Sequence, residues 1–230
     1  NVYYIDFSFD TLKLGGSVLY QTLNKVGEKV PTVQNSEYFA LAFEAIQKLI
    51  NENLILAGHD ISAGGIITTL LEMTFANKNG GLHVNFSDIA EKDIVKILFS
   101  ENPGVCIQVK DNLKVEKILK NAGIGYAKIA YPIDSRTLEI VKEEEHYNFD
   151  IDALRDKWYK TSYLLDRKQS GEKCAKERFD NYKNQPLDLY IKNSFSGQMS
   201  QFGIKGTHST SGIKAAIIRE KGTNGEREMA

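Results

Sequence analysis

One stretch of the sequence concentrates side chains able to do chemistry: Gly58-His59-Asp60-Ile61-Ser62-Ala63-Gly64-Gly65. It runs from a short apolar segment, Leu54 to Ala57, into the apolar segment Ile66 to Phe75, so it reads as the turn between a strand end and a helix start. The first turn of a helix carries unpaired N–H groups and the positive end of the helix dipole, which suits phosphate. Gly64 and Gly65 allow close approach of backbone to a ligand. Ser62 offers a hydroxyl to a phosphate or a ribose. Asp60 offers a carboxylate to Mg2+, a hard cation that favours carboxylate and phosphate oxygens. A metal and an anion together would neutralise a nucleotide polyphosphate. Ser62 and Asp60 also suit a simpler role as helix caps, and spacing alone leaves both roles open. His59 reads as a hydrogen-bonded structural residue, because its sequence neighbours supply no second ligand or nucleophile partner. Glu72, on the following helix, points either to the Asp60 site or to solvent.

Other reactive residue types carry less. Leu14-Gly15-Gly16-Ser17 reads as a turn, Glu143-Glu144-Glu145 as a solvated run, and His83 and His146 stand alone. Cys106 lies in an apolar run and reads as core, where burial disfavours the thiolate. Cys174 lies in a charged run. Two cysteines placed so make neither a disulfide framework nor a zinc site, and a reducing cytosol is the simplest compartment.

The elements that must position this turn can be read from pattern. Val2 to Phe7, Leu82 to Phe86, Gly104 to Val109, Tyr126 to Ala130 and Thr137 to Val141 have strand character. Ser36 is the expected cap of a helix through Ile50, with Phe39, Ala42, Phe43, Ile46, Leu49 and Ile50 on one face. Asp88 with Glu91 suggests a capping box for a helix ending near Phe99, and Asp111 caps a helix reaching Ala122. Ile151, Leu154 and Trp158 mark a further helix face, and another helix is expected around Glu177. Alternating strands and helices over residues 1–165 indicate an α/β (α+β) layered domain with a mixed sheet and packed helices. Residues 166–212 are first charged, then rich in Ser, Gly and Thr, and read as a connecting segment. Residues 213–230 read as a strand, a glycine loop and a helix start, the opening of a further domain that is cut off.

With 230 residues, 42% of them hydrophobic and 26% charged, the chain can bury a core. A net charge of -1 gives no footprint for nucleic acid or an anionic membrane. No apolar run approaches the roughly 20 residues that span a bilayer, and no signal peptide is visible. The chain opens inside what reads as a strand, so its true start is expected elsewhere.

The motifs resemble one family. His59-Asp60-Ile61-Ser62-Ala63-Gly64-Gly65 with Leu71-Glu72-Met73-Thr74-Phe75-Ala76, the stretch Leu98-Phe99-Ser100-Glu101 to Gly104 with Ile107-Gln108-Val109, and Leu14-Gly15-Gly16-Ser17 are similar to segments of the phosphoribosylformylglycinamidine synthase family. Ala216-Ile217-Ile218-Arg219-Glu220 with Gly222, Asn224-Gly225 and Glu228-Met229-Ala230 resembles the opening of that family's glutaminase domain. The resemblance covers nearly the whole chain, in order. It implies the C-terminal domain fold of aminoimidazole ribonucleotide (AIR) synthetase, in the second half of a large single-chain enzyme. It implies the conversion of formylglycinamide ribonucleotide, ATP, glutamine and water to formylglycinamidine ribonucleotide, ADP, phosphate and glutamate, in the cytoplasm. It implies Asp60 as a Mg2+ ligand and Ser62, Gly64 and Gly65 as contacts of ATP or ADP, in a nucleotide site regarded as structural. No catalytic residue is expected within the chain; the remaining domains of the same polypeptide would supply the other ligands and the glutaminase nucleophile. A non-enzymatic nucleotide-holding module, or another ATP-dependent enzyme of the AIR-synthetase superfamily, is the alternative.

Overall fold

The computed structural model describes residues 1–181, 194, 196 and 198–203. Two compact units divide the chain, Asn1–Asn184 and Gln185–Ala230. The expected strand and glycine loop of residues 213–230, and residues 182–193, 195, 197 and 204–212 of the expected connecting segment, lie outside the described residues. In the second unit Met199–Phe202 forms a 3-10 turn, and the Gln201 side-chain oxygen accepts from the Ser196 backbone N–H at 2.7 Å.

The first unit is built on a seven-stranded mixed sheet: β1 (Val2–Asp6), β2 (Ile55–Asp60), β3 (Gly81–Asn85), β4 (Gly104–Val109), β5 (Ala127–Ile133), β6 (Thr137–Lys142) and β7 (Glu145–Asp150), in the order β2-β4-β1-β5-β3-β6-β7. All neighbours are antiparallel except β3 and β6. The helices are α1 (Val18–Thr22), α2 (Ser36–Asn51), α3 (Gly65–Phe75), α4 (Ile94–Phe99), α5 (Asn112–Asn121), α6 (Ile151–Ser170) and α7 (Glu172–Asn181).

Strand alternation divides the core into two layers. Val2 and Cys106 face one side with Ile66, Ile67 and Leu70 of α3, Ile97 and Leu98 of α4, and Ile151 at the start of α6. Tyr3, Ile5, Ile107 and Val109 face the other, against Ala42, Ile46 and Leu49 of α2 and Val115 and Leu119 of α5. The expected mixed α/β architecture with packed helices is therefore present. The unit β4-α5-β5 returns to the sheet with β1 inserted between its two strands. That crossover puts β1 at the centre, where Tyr3 and Ile5 are fully buried.

Several boundaries differ from expectation. Asn35, one residue before Ser36, caps α2 by accepting from Tyr38 N at 2.9 Å. Asp93, not Asp88, opens α4, accepting from Val95 N at 2.9 Å. Glu91 instead closes a turn by accepting the Lys92 and Asp93 N–H groups. β2 extends to Asp60, because pairing with β4 carries the ladder past the apolar residues. The run Glu143-Glu144-Glu145 is exposed, as expected, and forms a hairpin turn: Glu143 takes a positive φ of 53° and Glu145 begins β7. Asp111 caps α5 as expected. Helix α6 runs through position 165 without a break.

Candidate functional site

The turn at residues 58–65 lies where β2, an edge strand, delivers the chain to α3. Ile61 N donates to Gly104 O at 2.8 Å and Gly65 N to Ser62 O at 3.0 Å, which fixes the turn between sheet and helix. Two consecutive residues have positive φ, Gly64 at 93° and Gly65 at 74°. A Cβ on Gly65 would stand 2.6 Å from Leu98 O and 2.8 Å from the Phe99 backbone; one on Gly64 would meet the Thr68 hydroxyl. Both positions therefore require glycine for a local reason, whatever they bind.

The capping alternative fails. Gly64 is the residue before α3, and no side chain caps that helix. Ser62 is exposed, and the Asp60 side chain is 73% exposed, with Oδ1 3.4 Å from His59 Nδ1. An exposed carboxylate and an exposed hydroxyl thus stand in the turn that leads from β2 into α3. A Mg2+ ion commonly keeps several waters and takes only one or two protein carboxylates besides phosphate oxygens. Asp60 fits such a partial donor set. Among the described residues no group of three or more His, Cys, Asp or Glu is arranged to hold a metal by itself.

His59 has a partner that its sequence neighbours do not show. Its Nε2 lies 3.0 Å from Glu72 Oε2 on α3, and its Nδ1 2.7 Å from Asp60 O. Glu72 Oε1 in turn accepts from Trp158 Nε1 of α6 at 2.8 Å. So Glu72 turns toward the site, not to open solvent. The buried Thr69 hydroxyl also donates to Asp60 O at 3.0 Å.

Glu101 is the residue that pattern reading left without a role. Its Oε1 accepts from Gly64 N and from Val18 N, each at 2.8 Å. One carboxylate thereby ties the turn before α3 to the first residue of α1. The Leu14-Gly15-Gly16-Ser17 turn is part of that wall: Gly15 N donates to Lys29 O at 2.8 Å, leaving no room for a Cβ, and Ser17 caps α1. Its neighbour Asn102, 1% exposed, donates to Ser8 Oγ and Thr11 O at 3.1 Å each and accepts from Lys13 N at 3.3 Å.

Cys106 faces His59 across the β2–β4 ladder but is fully buried, and burial pushes its thiol pKa well up. It is core, as expected, and no nucleophile. His83 is not alone: its Nδ1 lies 3.1 Å from Glu139 Oε2, and its ring stacks on Tyr131 with centroids 5.0 Å apart. No described helix is long and apolar enough to cross a membrane.

Comparison with known proteins gives a consistent picture. A family model described as "AIR synthase related protein, C-terminal domain" matches residues 9–143. Among curated relatives, "Probable phosphoribosylformylglycinamidine synthase, chloroplastic/mitochondrial" of Arabidopsis thaliana is 34% identical, over 99% of this chain and 16% of its own length. "Phosphoribosylformylglycinamidine synthase" of Homo sapiens is 31% identical, over 99% of this chain and 17% of its own. The chain thus spans about a sixth of these relatives. Two solved structures, "T. maritima PurL complexed with ATP" and "T. maritima PurL complexed with FGAR", each cover 66% of this chain, with TM-scores of 0.52 and 0.51 and identities of 15% and 16%. The matched parts are 25% and 27% of those chains, and the likeness is one of fold.

Proposed function

Since the chain belongs to the family of AIR synthase related proteins, C-terminal domain, we propose that it is part of a phosphoribosylformylglycinamidine synthase and forms one wall of a Mg-nucleotide site. The observation that carries this reading is the 73% exposed Asp60 carboxylate at the end of β2, in the turn that leads into α3. Asp60 would hold Mg2+ through one oxygen, and Ser62 would donate to a phosphate or ribose oxygen. Gly64 and Gly65 would act by shaping the turn that presents Asp60 and Ser62, their own N–H groups being taken by Glu101 Oε1 and Ser62 O. A bound Mg-ATP or Mg-ADP supplies the paired charges that this turn neutralises. These residues bind and orient; none is placed to move a proton or attack a bond, so the role is positioning and charge neutralisation.

The relatives' names support the wider assignment, and the two solved structures are complexes with ATP and with FGAR. On this reading the whole polypeptide consumes ATP, glutamine and formylglycinamide ribonucleotide in the cytoplasm, with its other domains completing the site. Calorimetric titration of Mg-ADP tests the assignment. Asp60→Ala should weaken binding by about 10- to 100-fold, the loss of one charged ligand interaction. Unchanged affinity would remove Asp60 from the site.

A further inference from the structure

Three side chains connect Asp60 to a helix that contributes nothing to the turn itself. Glu72 divides its carboxylate between two partners: Oε1 takes the Trp158 indole N–H at 2.8 Å, and Oε2 faces His59 Nε2 at 3.0 Å. The other ring nitrogen of His59 meets Asp60 O at 2.7 Å. Glu72 and His59 are each about a quarter exposed at the side chain, and Trp158 is half exposed. Trp158 packs on Phe75 at the end of α3, with ring centroids 5.4 Å apart, which fixes the indole over Glu72. Asp60 O is held a second time by Thr69, one turn before Glu72 on α3.

A carboxylate whose two oxygens meet groups on different elements is a clamp: neither group can move without leaving the carboxylate half-paired. We propose that Glu72, anchored by Trp158, positions His59 and through it Asp60, so that α6 is mechanically coupled to whatever Asp60 ligates. The inference rests on Asp60 as a ligand of Mg-nucleotide. Glu72, His59 and Trp158 are positioning residues in it and touch no substrate.

Trp158 is the single tryptophan of the chain, so its emission reports the far end of the clamp. The experiment titrates the chain with Mg-ADP, following equilibrium dialysis and Trp158 emission together. In the wild type the emission change should follow the dialysis curve. Glu72→Ala removes both bonds; it should weaken binding roughly tenfold and blunt the emission change. Glu72→Gln should rescue both readouts to within about threefold, because its amide oxygen can take the indole N–H and its amide nitrogen can face the imidazole. Trp158→Phe, followed by dialysis alone, keeps the packing on Phe75 but loses the anchor, and should bind roughly threefold more weakly. Glu72→Ala binding as the wild type does, or Glu72→Gln failing as Glu72→Ala does, overturns the clamp. Wild-type binding with silent Trp158 emission overturns it while leaving the nucleotide site intact, and no binding even in the full polypeptide, with the other domains present, overturns both.

Discussion

Replacing Gly65 by alanine separates what the turn needs structurally from what it does for a ligand. Gly65 has φ +74°, and a Cβ there would sit 2.6 Å from Leu98 O and 2.8 Å from two atoms of the Phe99 backbone. The left-handed conformation costs an L-residue about 1–2 kcal/mol. The clash is with backbone of the α4 end, which cannot rotate away, and forcing α3 from α4 adds about 1–3 kcal/mol. The sum is roughly 2–5 kcal/mol, a large part of the 5–15 kcal/mol typical of a domain. With a urea slope of about 2 kcal/mol per molar, the midpoint should fall by about 1–2.5 M. Gly123→Ala is the control, because Gly123 has φ +70° and nothing within 4 Å of its Cβ position. It incurs only the conformational part and should lower the midpoint by about 0.5–1 M. Urea melts followed by far-UV circular dichroism measure both. Equal shifts for the two variants would refute the argument that α4 backbone, and not φ alone, demands glycine at 65.

Two further outcomes follow from burial and bonding. Asn102→Ala leaves the Ser8 hydroxyl, the Thr11 carbonyl and the Lys13 N–H without their shared partner; it should cost about 1–3 kcal/mol and speed tryptic cleavage after Lys13, and an unchanged cleavage rate would count against the pinning of that loop. Of the two thiols, exposed Cys174 should react at once with Ellman's reagent. Buried Cys106, its pKa raised by burial and its thiolate therefore scarce at neutral pH, should react only on unfolding; two equally fast thiols in the native protein would contradict the core placement.

The sequence by itself determined the local elements and their chemistry. Apolar spacing marked α2 and the first turns of α6, an apolar run marked α3, aromatic and β-branched content marked β1, alternation marked β3, and Asp111 announced α5, because periodicity and caps act within a few residues. Where two polar residues competed for a cap, the reading slipped: Asn35 and Asp93 won over Ser36 and Asp88 through backbone geometry that composition does not carry. The motif at residues 58–65 was legible as a strand-to-helix turn, and its glycines as special, since few other residues tolerate positive φ. Only the tertiary structure decided what surrounds it. Glu101 reaches Val18 and Gly64 from 83 and 37 residues away, and Trp158 reaches Glu72 from 86. Those partners meet because the sheet order seats β4 beside β2 and α6 packs against α3, and side-chain contacts across such separations leave no periodic trace along the chain.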